Sequence, residues 1–194
     1  MSRAAELDVG FPQAPAAPIA QPEHMTPLTH QPLAIAPHVL DELRERDDAG
    51  VVPRSYVYDM DGAPLRCCLR RSRAGERISL VSYAPLRRWA AQAGADPGAY
   101  DEVGPVFIHA GACPGPDPES GYPFAETGAQ RVFRRYNADG WISGGTLVQL
   151  PADPVRAQTV VEQALHTAFS DPQVALVHVR AVEYGCFQYE VRRP

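Results

Sequence analysis

The residues with the widest chemical range lie near the C-terminus, in two strand-like runs at 174–182 and 186–192. Even positions of the first run are Val174, Leu176, His178, Arg180 and Val182, and the odd positions are wholly apolar. The second run places Phe187, Tyr189 and Val191 on odd positions and Cys186, Gln188, Glu190 and Arg192 on even ones. Side chains alternate faces along a strand, so the two apolar sets share a face only if even pairs with even. A three-residue connection, Glu183-Tyr184-Gly185, gives that register, with His178 opposite Glu190 and Arg180 opposite Gln188. A carboxylate beside an imidazole orients it and raises its pKa, as general acid–base chemistry needs. His178 and Glu190 are therefore the candidate catalytic pair, and the competing reading is a solvated ion pair across two strands.

Arginine supplies the second signal. All 18 basic residues are Arg, and they cluster at Arg66, Arg70, Arg71, Arg73 and Arg77, then at Arg131, Arg134 and Arg135. A guanidinium captures carboxylate or phosphate with two parallel hydrogen bonds. Arg180, Arg135, Arg66 and Tyr136 are the residues expected to hold a small anionic ligand. A mostly solvated surface is the competing reading for these clusters. With no Lys in the chain, Schiff-base and P-loop chemistry are excluded.

The four cysteines are the third signal. Cys186 and Cys113 are candidate nucleophiles or thiols, and His109 and Cys113 stand in an H-x3-C spacing within a Gly/Pro loop. Together with Cys67, Cys68 and Cys186 these residue types suit zinc. The spacing argues against it. There is no C-x2-C pair, and on a strand the adjacent Cys67 and Cys68 point to opposite faces. No metal ligand and no cofactor is assigned, and buried structural cysteines are expected instead.

These groups need elements to position them. The segment 37–50 reads as a helix, with Pro37 in its first turn, Val39, Leu40 and Leu43 on one face, and Gly50 at its end. Asp61-Gly62 reads as a hairpin turn between two strand-like runs. Residues 76–84 and 104–110 read as strands, with the stretch 84–104 irregular between them. A hairpin follows, turned at Asn137-Ala138-Asp139-Gly140. The clearest helix is 154–169, with Asp153 as its N-cap and Pro154 in its first position. The sum is a single α+β domain, residues 30–194, with a mostly antiparallel sheet of about seven strands and two helices.

Residues 1–29 read as a Pro-rich N-terminal tail, extended or disordered and dispensable for folding; residues 1–37 hold seven of the 20 prolines. The chain has 194 residues and a net charge of −5, which argues against a nucleic-acid or anionic-membrane binder. No apolar run is long enough to span a bilayer, and no export signal is read, so a cytoplasmic location is expected.

Several blocks resemble a known family: Gly62–Leu69 (GAPLRCCL), 75–83 (GERISLVSY), Ala99–Ala110, 134–142 (RRYNADGWI) and 177–193 (VHVRAVEYGCFQYEVRR). By these the chain is similar to the domain of unknown function 1203 family of bacterial proteins, over about Pro32 to Arg193. The resemblance implies fold and boundaries and carries no reaction. The expected function is an enzyme or ligand-binding protein for a small anionic metabolite, with a biosynthetic setting as one option, using the polar face of the C-terminal hairpin. The alternatives are a non-catalytic interaction module with a Pro-rich arm and a Cys/His metal or redox protein. A homo-oligomer is compatible with the sequence.

Overall fold

The structure, a computed structural model, describes residues 28–126 and 128–193. The expected tail lies outside the described residues apart from Leu28 and Thr29.

Among the described residues, nine strands form two sheets beside three α-helices, so the α+β class holds with more elements than the sequence suggested. Helix α1 spans Pro37–Glu45, α2 Pro85–Ala93 and α3 Pro154–Phe169. The first sheet contains β1 (Ser55–Tyr58), β2 (Pro64–Leu65), β3 (Arg70–Arg71), β4 (Glu76–Tyr83) and β5 (Gly104–His109), in the order β1-β4-β5-β2-β3. Its pairs are antiparallel except β2 with β5. The second is fully antiparallel, in the order β7-β6-β8-β9, from β6 (Gln130–Tyr136), β7 (Ile142–Gln149), β8 (Leu176–Ala181) and β9 (Phe187–Arg192).

Each helix buries an apolar stripe. Val39, Leu40 and Leu43 of α1 join Val81, Val106 and Ile108 in one core. Ala157, Val161, Leu165 and Ala168 of α3 recur at helical spacing and meet Phe133, Val177, Val179 and Val191 of the second sheet. Asp153 caps α3 as expected, accepting from the Arg156 N–H at 2.7 Å.

Three local readings are corrected. Residues 84–104 are not irregular throughout: Pro85 opens α2, Leu86, Trp89 and Ala90 form its buried stripe, and Gly94 ends it at φ +68°. Asp61-Gly62 does not join a paired hairpin. β1 pairs with β4, and the short β2–β3 hairpin is inserted between them. In the C-terminal hairpin, His178 faces Glu190 as expected, but a bulge after Val179 sets Arg180 opposite Phe187 rather than Gln188.

A short crossing segment links the layers. The Leu33 N–H donates to the Glu190 carbonyl of β9 at 2.8 Å, and the Ile35 N–H donates to the Arg66 carbonyl at 3.0 Å.

Candidate functional site

The chemistry-bearing residues fall into three places. The first is the interior of the second sheet. His178 is 1% exposed, its ring 4.8 Å from that of Tyr136 and 5.1 Å from that of Phe187. Its Nε2 lies 3.0 Å from Glu190 Oε2, and Arg192 donates to Glu190 Oε1 at 2.6 Å. Burial pushes the imidazole below its ordinary value and keeps it neutral. Burial alone would raise Glu190, but His178 and Arg192 hold it below the usual carboxylate range. The polar face is thus roofed over. The sequence could not show this, because strand alternation says which residues share a face and not what covers it.

The second place is a cleft of about 640 Å³ between the two sheets. β4 and β5 supply Leu80 and Phe107, which are register partners and so share the cleft face. Tyr58, Pro64, Pro105 and Tyr184 add apolar wall. Arg66, Arg71 and Arg131 supply charge, and Cys186 and Gln188 enter from β9 and the connection before it.

Arg66 is 2% exposed, and its guanidinium donates only to backbone carbonyls, those of Phe187 and Pro64. It forms no ion pair among the described residues. Desolvation pushes its pKa down to about 10. Arg71 and Arg131 share Glu126, each at 2.7 Å, and Arg131 also pairs with the cleft-lining Glu183 at 3.6 Å. Two buried atoms of cleft-lining residues, Arg131 Nε and Gln188 Oε1, have no partner among the described residues. Three arginines against Glu126 and Glu183 leave one positive charge in surplus at the cleft wall.

Arg180 and Arg135 lie elsewhere. Arg180 and Arg134 both bond Glu102, at 2.9 and 2.7 Å. Arg135 lies alongside Gly144 of β7. The arginine clusters flagged Arg131 and Arg71 in the sequence without singling them out. The walls from Tyr58 and Phe107 had no sequence signal, because only the strand order brings them together.

The third place is the turn joining β2 to β3. Cys67 and Cys68 are not on a strand, so the argument that they diverge fails. They sit inside a four-residue turn closed by the Leu69 N–H to the Leu65 carbonyl, where side chains do not alternate, and both thiols point inward. Their Sγ atoms are 3.9 Å apart. His109, at the end of β5, brings Nδ1 to 3.3 Å from Cys67 Sγ and 3.8 Å from Cys68 Sγ. Cys113 follows on the Gly/Pro loop. One ligand atom from each of the four residues lies within 4.8 Å of all the others. The hydrogen bond from Cys67 to Cys68 holds the Cys68 thiol below its ordinary value; burial opposes this, and the Arg70 N–H and His109 assist it. Cys186 takes no part in this cluster.

These features define a two-sheet α+β protein with an arginine-lined cleft between its layers and a Cys3His cluster at a sheet edge. The family model described as protein of unknown function (DUF1203) matches residues 62–193, and the chain belongs to that family. The match starts at Gly62, later than the Pro32 expected, so α1 and β1 precede it, while cleft and cluster residues such as Arg66, Cys67, Arg131 and Gln188 lie within it. No curated protein and no solved structure matches the chain.

Proposed function

We propose that the protein binds a small organic anion, a carboxylate or phosphate ester with an apolar body, in the cleft between the sheets. The observation that carries this reading is Arg66: a buried guanidinium with no carboxylate partner among the described residues, at the wall of an open cleft. Burying a charge is costly unless it is paired, and an anionic ligand would pair it. Arg131 adds a second cation at the wall, while Leu80, Phe107 and Tyr184 would cover an apolar body. Cys186 is the sulfur that a bound ligand would meet, so any turnover by covalent chemistry would start there. His178 and Glu190 support the hairpin beneath the cleft rather than reaching into it. No helix among the described residues is long and apolar enough to cross a membrane. Four free cysteines suit a reducing compartment, and we place the protein in the cytoplasm.

Isothermal titration with a panel of aromatic and aliphatic carboxylates and phosphate esters tests this. A match should show saturable binding to the wild type. Leu80, 45% exposed at the cleft, can accept a repelling charge as Leu80→Glu without disturbing the core. That change should abolish binding, and Arg66→Gln should weaken it by about 10–100-fold, the worth of one charge-assisted hydrogen bond. Affinity equal to wild type in both variants would remove the reading.

A further inference from the structure

We infer that Cys67, Cys68, His109 and Cys113 form a tetrahedral site for a divalent cation of the zinc class, which fastens the 110–116 loop to the β2–β3 turn. With Zn–S near 2.3 Å and Zn–N near 2.0–2.1 Å, a tetrahedral centre needs S···S edges of about 3.8 Å and S···N edges of about 3.6 Å. The structure has Sγ–Sγ 3.9 Å for Cys67 and Cys68, and 3.3 and 3.8 Å from their sulfurs to His109 Nδ1. Three corners are thus already at ligand spacing. Cys113 is the fourth, within 4.8 Å of the rest on a loop between β5 and Tyr122, and closes by a movement of about 1 Å.

The surroundings suit thiolates and a metal-bound imidazole. The His109 N–H donates to Cys67 Sγ at 3.2 Å. Glu76 Oε2 stands 3.6 Å from His109 Nε2, where a ligating histidine's other N–H finds a carboxylate. Arg70 holds Glu76 by two bonds, at 2.7 and 3.1 Å. Its NH2 also lies 3.3 Å from Nε2, so metal binding at Nδ1 turns Nε2 into a donor and shifts that contact onto Glu76 alone. Three thiolates and a dication sum to −1, and beside them Arg70 and Glu76 cancel each other. The thiol protons leave to solvent as the metal enters. Four protein ligands leave no open position, so the site is structural rather than catalytic.

The test uses the full chain, reduced and stripped with a chelator, titrated with Co²⁺ and then Zn²⁺. Tetrahedral thiolate–cobalt absorption should appear and saturate at one ion per chain, and Zn²⁺ should erase it. His109→Ala and Cys113→Ser, each checked for folding by circular dichroism, should lower affinity by more than the roughly 10–100-fold that an outer-shell change costs. Cys186→Ser, outside the cluster, should leave it unchanged. Absence of the tetrahedral spectrum in the reduced wild type overturns the site without recourse to any variant. So does a spectrum that persists undiminished in both His109→Ala and Cys113→Ser.

Discussion

At His178 the protonation state follows from hydrogen-bond accounting. Nε2 donates to ionised Glu190, and Nδ1 is buried without a partner. An unpartnered acceptor there costs less than an unpartnered N–H⁺, so the neutral Nε2–H tautomer is the one the fold selects. The pH consequence has a definite sign. The folded-state pKa of His178 lies below its ordinary 6.5, so the unfolded chain binds the proton first as pH falls. Stability should be full above pH 6.5 and decline below it. Glu190, held below its ordinary 4.5, extends the decline at lower pH. Urea unfolding across this range should show the loss, and His178→Gln, which can still donate to Glu190 but does not titrate, should flatten it between pH 6.5 and 4.5. An equally steep decline in His178→Gln would assign the acid lability to other groups. Arg66 is as buried as His178, and the two differ in that Arg66 lines the cleft and His178 does not.

At the scale of elements, signals that are local were legible and signals that are relational were not. Helix α3 was readable end to end because its cap, its first-turn proline and its apolar stripe are all written within one segment. Its N-cap yields a direct check. Asp153→Ala removes the acceptor for the Arg156 N–H and should cost about 1 kcal/mol in chemical unfolding, with the slope of the transition unchanged. A cost near zero would mean that solvent serves that N–H as well. Helix α2 had comparable punctuation in Pro85 and Gly94, but two further turn-forming residues at Pro97 and Gly98 masked it as loop. The β2–β3 hairpin was hidden for a different reason. Two-residue strands carry no periodicity, so GAPLRCCL reads as one continuous strand, and that reading separates Cys67 from Cys68. The His178–Glu190 register was derivable from alternation alone. The bulge that moves Arg180 was not, since one extra residue leaves the hydrophobic pattern almost intact. For the site, residue types were visible and convergence was not. Arg66 and Gln188 lie far apart in the chain and meet only because the two sheets are laid together.

At the scale of the whole molecule, the crossing segment before α1 holds that arrangement. It bonds β9 through Leu33 and the β2–β3 turn through Ile35, so it joins the sheet carrying Gln188 to the turn carrying Arg66 and Cys67. Ile35, 5% exposed, fills the core under the first sheet, and Ala34 packs against the core under the second. His30, also 5% exposed, stacks on Phe169 of α3 at 5.3 Å and contacts Glu162 at 3.0 Å. Two shortened chains separate this segment from what precedes it. Residues 1–27 contain five of the seven prolines counted up to residue 37 and a single aromatic, Phe11, too little apolar side chain to build a core. A chain starting at Leu28 should therefore melt within a few degrees of full length. A chain starting at Pro37 loses the burial of Ile35, worth about 1.5–3 kcal/mol, together with both bridging hydrogen bonds. The ordering entropy of those nine residues offsets part of this. At about 2–4 °C per kcal/mol for a domain of this size, the expected fall is roughly 5–10 °C. The cleft should suffer more than the melting temperature shows, because the Ile35 bond to the Arg66 carbonyl helps fix the turn that presents the guanidinium. Scanning calorimetry of the three chains, with anion titration of each, reads both effects. If the Pro37 chain melts and binds like the full chain, the segment does not set the spacing of the two sheets.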